Sequence, residues 1–165
     1  VKLRDADVNV SDIAAACTEM SKYIKLTAAV GSLKYLKMGG RLSGAAAFAE
    51  KMIHITQVVS IEDEKVVVIG KTRGKKAAEK LMHDKLIKDG LSLTRDFMFG
   101  HINCSESLET FINKSLTYIS DVNGNVGVSS IGCSVGTHVG PGTYGIAYVE
   151  AAESGMNRES IVKTA

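Results

Sequence analysis

Residues 55–70 read ITQVVSIEDEKVVVIG. Two runs rich in β-branched residues flank Glu62-Asp63-Glu64. Apolar arms joined by a short polar turn describe a hairpin, so Val58–Ile61 and Val66–Ile69 are expected as antiparallel neighbours. Outward from this hairpin, helical and strand-like segments alternate, which is the pattern of an α/β domain. Toward the N-terminus, Ser11 is expected to cap a helix carrying Ile13, Ala16, Cys17 and Met20 on one side. Ile24–Val30 reads as a strand, and SLKYLKM as a helical turn stopped by Gly39-Gly40. Ser43 is placed to cap a further helix whose inward face is Ala45, Phe48, Ala49, Met52 and Ile53. Toward the C-terminus, Gly74 opens an amphipathic helix with Ala77, Ala78, Leu81, Met82 and Leu86 on one side, ending at Gly90. Asp96–Asn103 reads as a strand. Ser105 is then expected to cap a helix carrying Leu108, Phe111, Ile112 and Leu116, with Glu106 and Glu109 near its positive end. From Gly124 to Gly145 the chain reads as strand and turn, because 7 of these 22 residues are glycine. A hairpin within the alternation makes the sheet mixed, since a purely parallel sheet needs a crossover between every pair of strands.

Composition narrows the classes of function. The 165 residues fit one domain, and 45% hydrophobic with 23% charged residues excludes a disordered chain. A net charge of +2 implies no nucleic-acid partner. No run of about 18 apolar residues occurs, so no membrane span is expected. Cys17, Cys104 and Cys133 lie far apart, which suits a reducing cytoplasm rather than a disulfide scaffold or zinc site. The start VKLRDADVNV has neither a Met nor an apolar signal core and reads as a processed or excised piece. Residues after about Glu150 lose apolar periodicity and read as an extension of the core domain.

Three glycine-rich polar segments carry the candidate chemistry. In Gly39-Gly40-Arg41-Leu42-Ser43-Gly44, paired glycines admit a close ligand, Arg41 offers a planar donor fork, and Ser43 opens a helix with free N–H groups. Such a segment suits a carboxylate or phosphate. The plainer reading is a helix C-cap followed by an N-cap, with Arg41 on the surface. Gly70-Lys71-Thr72-Arg73-Gly74-Lys75-Lys76 sets four cations at a strand-to-helix junction. It lacks the spacing and hydroxyl of a phosphate loop, which leaves a partner-docking patch or a solvated helix start. In Gly136-Thr137-His138-Val139-Gly140-Pro141-Gly142, a glycine-framed turn aims an imidazole and backbone N–H groups at one point, or carries an incidental histidine. His54, His83 and His101 have no metal-ligand spacing and read as packing or surface residues. Cys133 reads as a small buried hydrophobe.

The order LKYLKMGGRLSGAAA, KVVVIGKTRGKKAAEKL, a strand ending near His101 and Asn103, and IGCSVGTHVGPGTYGIAY resembles the C-terminal half of the DegV family, bacterial two-domain fatty-acid-binding proteins. The resemblance runs over about residues 20–149, with Gln57-Val58-Val59 standing where members commonly have Pro followed by two apolar residues. It implies a non-catalytic carrier domain over residues 1–150, followed by an extension over 151–165. It also implies no cofactor, a long-chain fatty acid as ligand, and a separate fatty acid kinase as partner. A preceding domain would carry the hydroxyl residues that bind the carboxylate directly. Through the motifs GGRLS and GTHVGPG it puts Arg41, Ser43, Thr137 and His138 around the ligand's head group. Through KTRGKK it puts Arg73, with Lys71, Lys75 and Lys76, at the kinase. Candidates for the acyl wall are Leu42, Ala46, Phe48, Ala49, Met52 and Ile53. The competing readings are an enzyme subunit acting on a phosphorylated or carboxylated small molecule, and a protein-interaction domain using the Lys71–Lys76 patch. Arg41 and the His138 turn, 97 positions apart in sequence, are expected to meet in space.

Overall fold

The computed structural model describes residues 1–41, 55–62, 65–90, 96–118 and 125–151. Their elements, in chain order, are helices α1 (Lys2–Asp5) and α2 (Val10–Ser21), strand β1 (Ile24–Val30), helix α3 (Lys34–Met38), and strands β2 (Ile55–Glu62) and β3 (Lys65–Arg73). Helix α4 (Lys75–Asp89), strand β4 (Phe97–His101), helix α5 (Ser105–Tyr118), strand β5 (Val126–Ser130), helix α6 (Cys133–Val139) and strand β6 (Tyr144–Val149) complete them.

The strands form one six-stranded sheet in the order β3-β2-β1-β6-β4-β5. The expected hairpin is present: β2 and β3 run antiparallel with Val59 opposite Val68 and Ile61 opposite Val66. A register shift at Val58/Val59 leaves Ile69 as an extra residue in β3. Only β4 and β5, joined across α5, are parallel among the described pairs, so the sheet is mixed.

Alternation along the strands sends neighbours to opposite faces. Ala29, Val58, Phe97, Phe99, Tyr144, Ile146 and Tyr148 pack against Ala78, Met82 and Leu86 of α4 and Leu108 and Phe111 of α5. Ala28, Val30 and Val59 face the other way, against Leu33 and Leu36, with Leu26, Val66, Val68 and Val139 at the margin. The first face holds α4 and α5, and the second holds α3 and α6.

Three local expectations are corrected. The cap of α2 is Asn9, whose side-chain oxygen accepts from Asp12 N at 3.0 Å, so Ser11 already lies within the helix. Asparagine caps a first turn as serine does, here two residues earlier in the chain. Similarly, Leu108 N bonds Cys104 O at 3.1 Å, which puts Cys104 at the cap of α5 and Ser105 in its first turn. Finally, the glycine-framed segment around His138 is helical rather than a turn between strands. Bonds of 2.8 Å from Gly136 N to Gly132 O and from Gly140 N to Gly136 O close the turns of α6. Glycine lowers helix propensity, but packing against α3 and the sheet overrides that weak preference. Cys133 opens this helix and is exposed rather than buried, because its turn faces away from both cores. The helix expected after Ser43, with its inward face and His54, lies outside the described residues.

Candidate functional site

The site grows from two helix ends. Beyond Val30, Ser32 Oγ accepts from Lys34 N at 3.2 Å and starts α3. Leu33 and Leu36 hold that helix on the sheet. The helix stops because Gly40 adopts φ +67°, a conformation that glycine adopts without strain. Arg41 N then reaches back to Leu36 O at 2.9 Å, and Gly40 N to Lys37 O at 3.1 Å, satisfying carbonyls that the helix leaves free. Arg41 Nη1 donates to Gly39 O at 2.6 Å. The plain reading of this segment, a helix C-cap with an exposed arginine, is therefore part of the answer. A guanidinium has five N–H donors, and Gly39 O is the only partner it has among the described residues.

The second end is that of α6. Gly140, at φ +78°, stops it, and Thr143 Oγ1 donates to Val139 O at 3.0 Å. His138 lies in the last turn. Its imidazole rests on Gly39: a Cβ at that glycine would overlap His138 Nδ1. The relation is reciprocal, since a Cβ at Gly140 would overlap the ring of Tyr35 in α3. Each helix thus offers a glycine to receive the other's ring. Arg41 and His138 consequently share one locality, Arg41 bonded to the carbonyl of the residue on which His138 lies. Two helix C-termini meeting here concentrate partial negative charge, and a guanidinium beside them offsets it.

Thr137 is exposed and its Oγ1 donates to Ser134 O at 3.2 Å, within its own helix. Ser43, and the wall candidates Leu42, Ala46, Phe48, Ala49, Met52 and Ile53, lie outside the described residues. Lys71, Arg73, Lys75 and Lys76 are all exposed at the junction of the edge strand β3 with α4. Gly74, at φ +84°, makes the corner between them. Lys75 Nζ donates to Ser107 Oγ at 2.7 Å, tying this corner to the start of α5.

Sequence reasoning missed a polar layer between α4, α5 and β6. Glu79 is buried; its carboxylate pairs with Lys114 Nζ at 2.5 Å and accepts from Tyr144 Oη at 3.3 Å. His83 Nε2 lies 2.9 Å from Ser115 Oγ, which itself donates to Phe111 O at 2.8 Å, so the imidazole is the donor to Ser115. Burial pushes the His83 pKa down from its ordinary value. Farther along α4, Tyr148 Oη donates to Asp89 Oδ2 at 2.6 Å, and Lys85 pairs with Asp89 at 2.7 Å. Burial pushes both tyrosine hydroxyls well above their usual range, followed by the adjacent carboxylates, Glu79 at Tyr144 and Asp89 at Tyr148. The available signal was Glu79 and His83 at helical spacing beside the apolar stripe Ala78, Met82, Leu86. His101 has a local role, its Nδ1 accepting from Cys104 N at 3.3 Å. Burial raises the Cys104 thiol, which donates to Thr143 O at 3.2 Å. Among the described residues no three His, Cys, Asp or Glu side chains are grouped to hold a metal. No helix among them is long and apolar enough to cross a membrane.

Comparison with known proteins agrees with this architecture. A DegV domain-containing protein of Clostridium acetobutylicum is 32% identical over 149 residues, spanning 85% of this chain and 48% of that protein. The chain thus spans about half the length of such curated relatives. A DegV family protein from Eubacterium eligens, solved loaded with heptadecanoic acid, superposes with a TM-score of 0.80 at 16% identity, over 91% of this chain and 54% of that one. The fatty acid kinase B3 protein of Streptococcus pneumoniae, loaded with linoleic acid, gives 0.79 at 16% identity, over 91% and 53%. These two similarities establish the fold. The sequence model described as "uncharacterised protein, DegV family" matches residues 1–151, and the chain belongs to the DegV family.

Proposed function

We propose that residues 1–150 form the C-terminal domain of a fatty-acid carrier, followed by an extension over 151–165. In this reading a preceding domain of the same protein completes the site, and a separate kinase receives the bound fatty acid. The observation that supports it is that Arg41 and His138 both touch Gly39, beside the sheet face that bears Leu26, Ala28, Val30 and Val59. A fatty acid needs both halves of that arrangement. Its carboxylate seeks charge-assisted donors, and its chain seeks an apolar wall. Arg41 can bind the carboxylate with a second edge of its guanidinium while the first stays on Gly39 O. His138 supplies an imidazole N–H, and the family resemblance assigns Ser43 and Thr137 to the same head group. The domain needs no cofactor and performs no bond-breaking step of its own. A solved DegV family protein loaded with heptadecanoic acid and the solved fatty acid kinase B3 protein loaded with linoleic acid support the ligand class.

Lys71, Arg73, Lys75 and Lys76 serve the kinase rather than the lipid. Exposed hydrated cations make poor lining for an acyl chain, but they steer an acidic partner and set its orientation.

Lipid extracted from the purified full-length protein and identified by mass spectrometry tests the carrier reading; absence of fatty acid at near-stoichiometric amounts overturns it. Arg41→Ala and His138→Ala should each weaken retention, a charged hydrogen bond contributing about 1.5–3 kcal/mol. Unchanged retention in both removes them from the site. Arg73→Ala should keep the fatty acid yet lower acyl-phosphate formation by the kinase, with the wild-type interaction weakening as salt rises.

A further inference from the structure

Buried polar side chains in this domain have partners, with one exception among the described residues. Thr27, Ser60 and Thr143 each donate to a backbone carbonyl, and Glu79, His83 and Ser115 are joined to side chains or backbone. Gln57 is 5% exposed, and its Oε1 meets no donor. A buried acceptor without a donor is destabilising, because it has given up water and received nothing in return.

The location of this oxygen says what kind of group it awaits. Gln57 pairs with Val30 in the β1–β2 register, and the side chains at 57 and 59 share a face of β2. That face is the one holding Val30, Val59 and Leu36, not the aromatic face under α4. Val30 leads into Gly31, where a Cβ would lie 3.8 Å from Pro141 O, in the turn directly after His138 and Gly140. Gln57 therefore belongs to the same wall as the head-group locality. A saturated hydrocarbon chain has no donor to offer there.

We propose that Gln57 is a specificity-determining residue, its Oε1 accepting a hydrogen bond from a hydroxyl on the ligand's acyl chain, so that the preferred ligand is a hydroxylated fatty acid. This rests on the carrier reading above and narrows it. An apolar wall alone separates such ligands weakly, whereas a fixed buried acceptor rewards the analogue that bears the donor.

The test measures binding of four acids to the full-length protein: hexadecanoic, 3-hydroxyhexadecanoic, octadecanoic and 10-hydroxyoctadecanoic acid. At least one hydroxylated acid should bind about tenfold more tightly than its unsubstituted parent. Gln57→Met, similar in length but without the amide, should fold and erase that preference while still binding the parent acids. Equal affinities across each pair in the wild type overturn the proposal and leave the carrier reading standing; they are the result expected if a bridging water satisfies Gln57. A preference that survives in Gln57→Met overturns the role of Gln57. Binding of none of the four acids overturns the carrier reading itself and this proposal with it.

Discussion

Toward α4 and α5 the sheet presents Phe97, Phe99, Tyr144 and Tyr148; toward α3 and α6 it presents Leu26, Ala28, Val30 and Val59. On the first side rings interlock. Phe111 lies 5.7 Å from Phe99 at 82°, 5.8 Å from Tyr144 at 58°, and stacks on His83 at 5.2 Å. Edge-to-face and stacked pairs add to the stabilisation from area burial. Every buried polar group described there is matched. On the second side the described buried hydrophobic side chains are small or aliphatic, the described helices are short, and α3 and α6 touch through glycine. Gln57 is buried there without a donor. The difference separates two tasks. In the carrier reading proposed above, a face that must only be stable fills its space and satisfies its polar atoms, whereas the face proposed to receive the ligand leaves small residues, a cation and an unmet acceptor.

The sharpest way to break this contrast is to open the aromatic side. Phe111→Ala should destabilise the domain by about 3–5 kcal/mol, read by urea unfolding, because the void is lined by rings that cannot collapse. A loss under about 1 kcal/mol would mean that this side is no better packed than the other. A smaller effect is expected from Lys114→Met, which leaves the Glu79 carboxylate buried with only Tyr144 as donor. Lys114 is itself 42% exposed, so the cost should be about 1–2 kcal/mol. No change would show that solvent already satisfies Glu79.

Gly39→Ala sharpens the contrast from the opposite side. Gly39 has φ −80°, which alanine accepts, and the added methyl meets a side chain that can move. Stability should change by less than about 0.5 kcal/mol, yet the His138 imidazole must leave its seat and fatty-acid retention should fall. Retention equal to wild type would detach His138 from recognition. The smallest effect concerns pH. Because the folded pKa of His83 lies below its unfolded value, protonation favours the unfolded chain. Its stabilising contribution is complete above the unfolded value of about 6.5 and is lost as pH falls through that value toward the folded one. His83→Gln, which keeps a donor for Ser115, should flatten this part of the stability profile between pH 7.5 and 5. An unaltered slope would assign the pH dependence to other groups.

Much of the fold was legible because local pattern and tertiary need coincide. The β2–β3 hairpin announces itself by β-branched arms around three acidic residues, and α4 by glycines at both ends of an apolar stripe. Helix α6 was not legible, since Gly132, Gly136 and Gly140 look like turn residues, and only the contacts of Gly136 with Ile102 and of Gly140 with Tyr35 show the segment packed. The register shift at Val58/Val59 lies beside Gly70, where a Cβ would overlap Leu81 of α4, a contact between elements that carries no local mark. The candidate site shows the same division. Arg41 and His138 stood out as polar residues framed by glycine, and family resemblance joined them. The exchange of rings and glycines between α3 and α6 did not, because each glycine's partner lies about a hundred positions away.

The pairing of β1 with β6 has a consequence for how the domain is made. Ile24 lies opposite Val149 and Ala29 opposite Tyr144, so the middle of the sheet closes a loop of more than a hundred residues. As the chain leaves the ribosome, β1 can pair with β2 early, but its other edge stays open until β6 has emerged. The topology thus places the slowest contact at the centre of the sheet rather than at its rim, and during that interval the nascent chain exposes one unpaired strand edge to its neighbours.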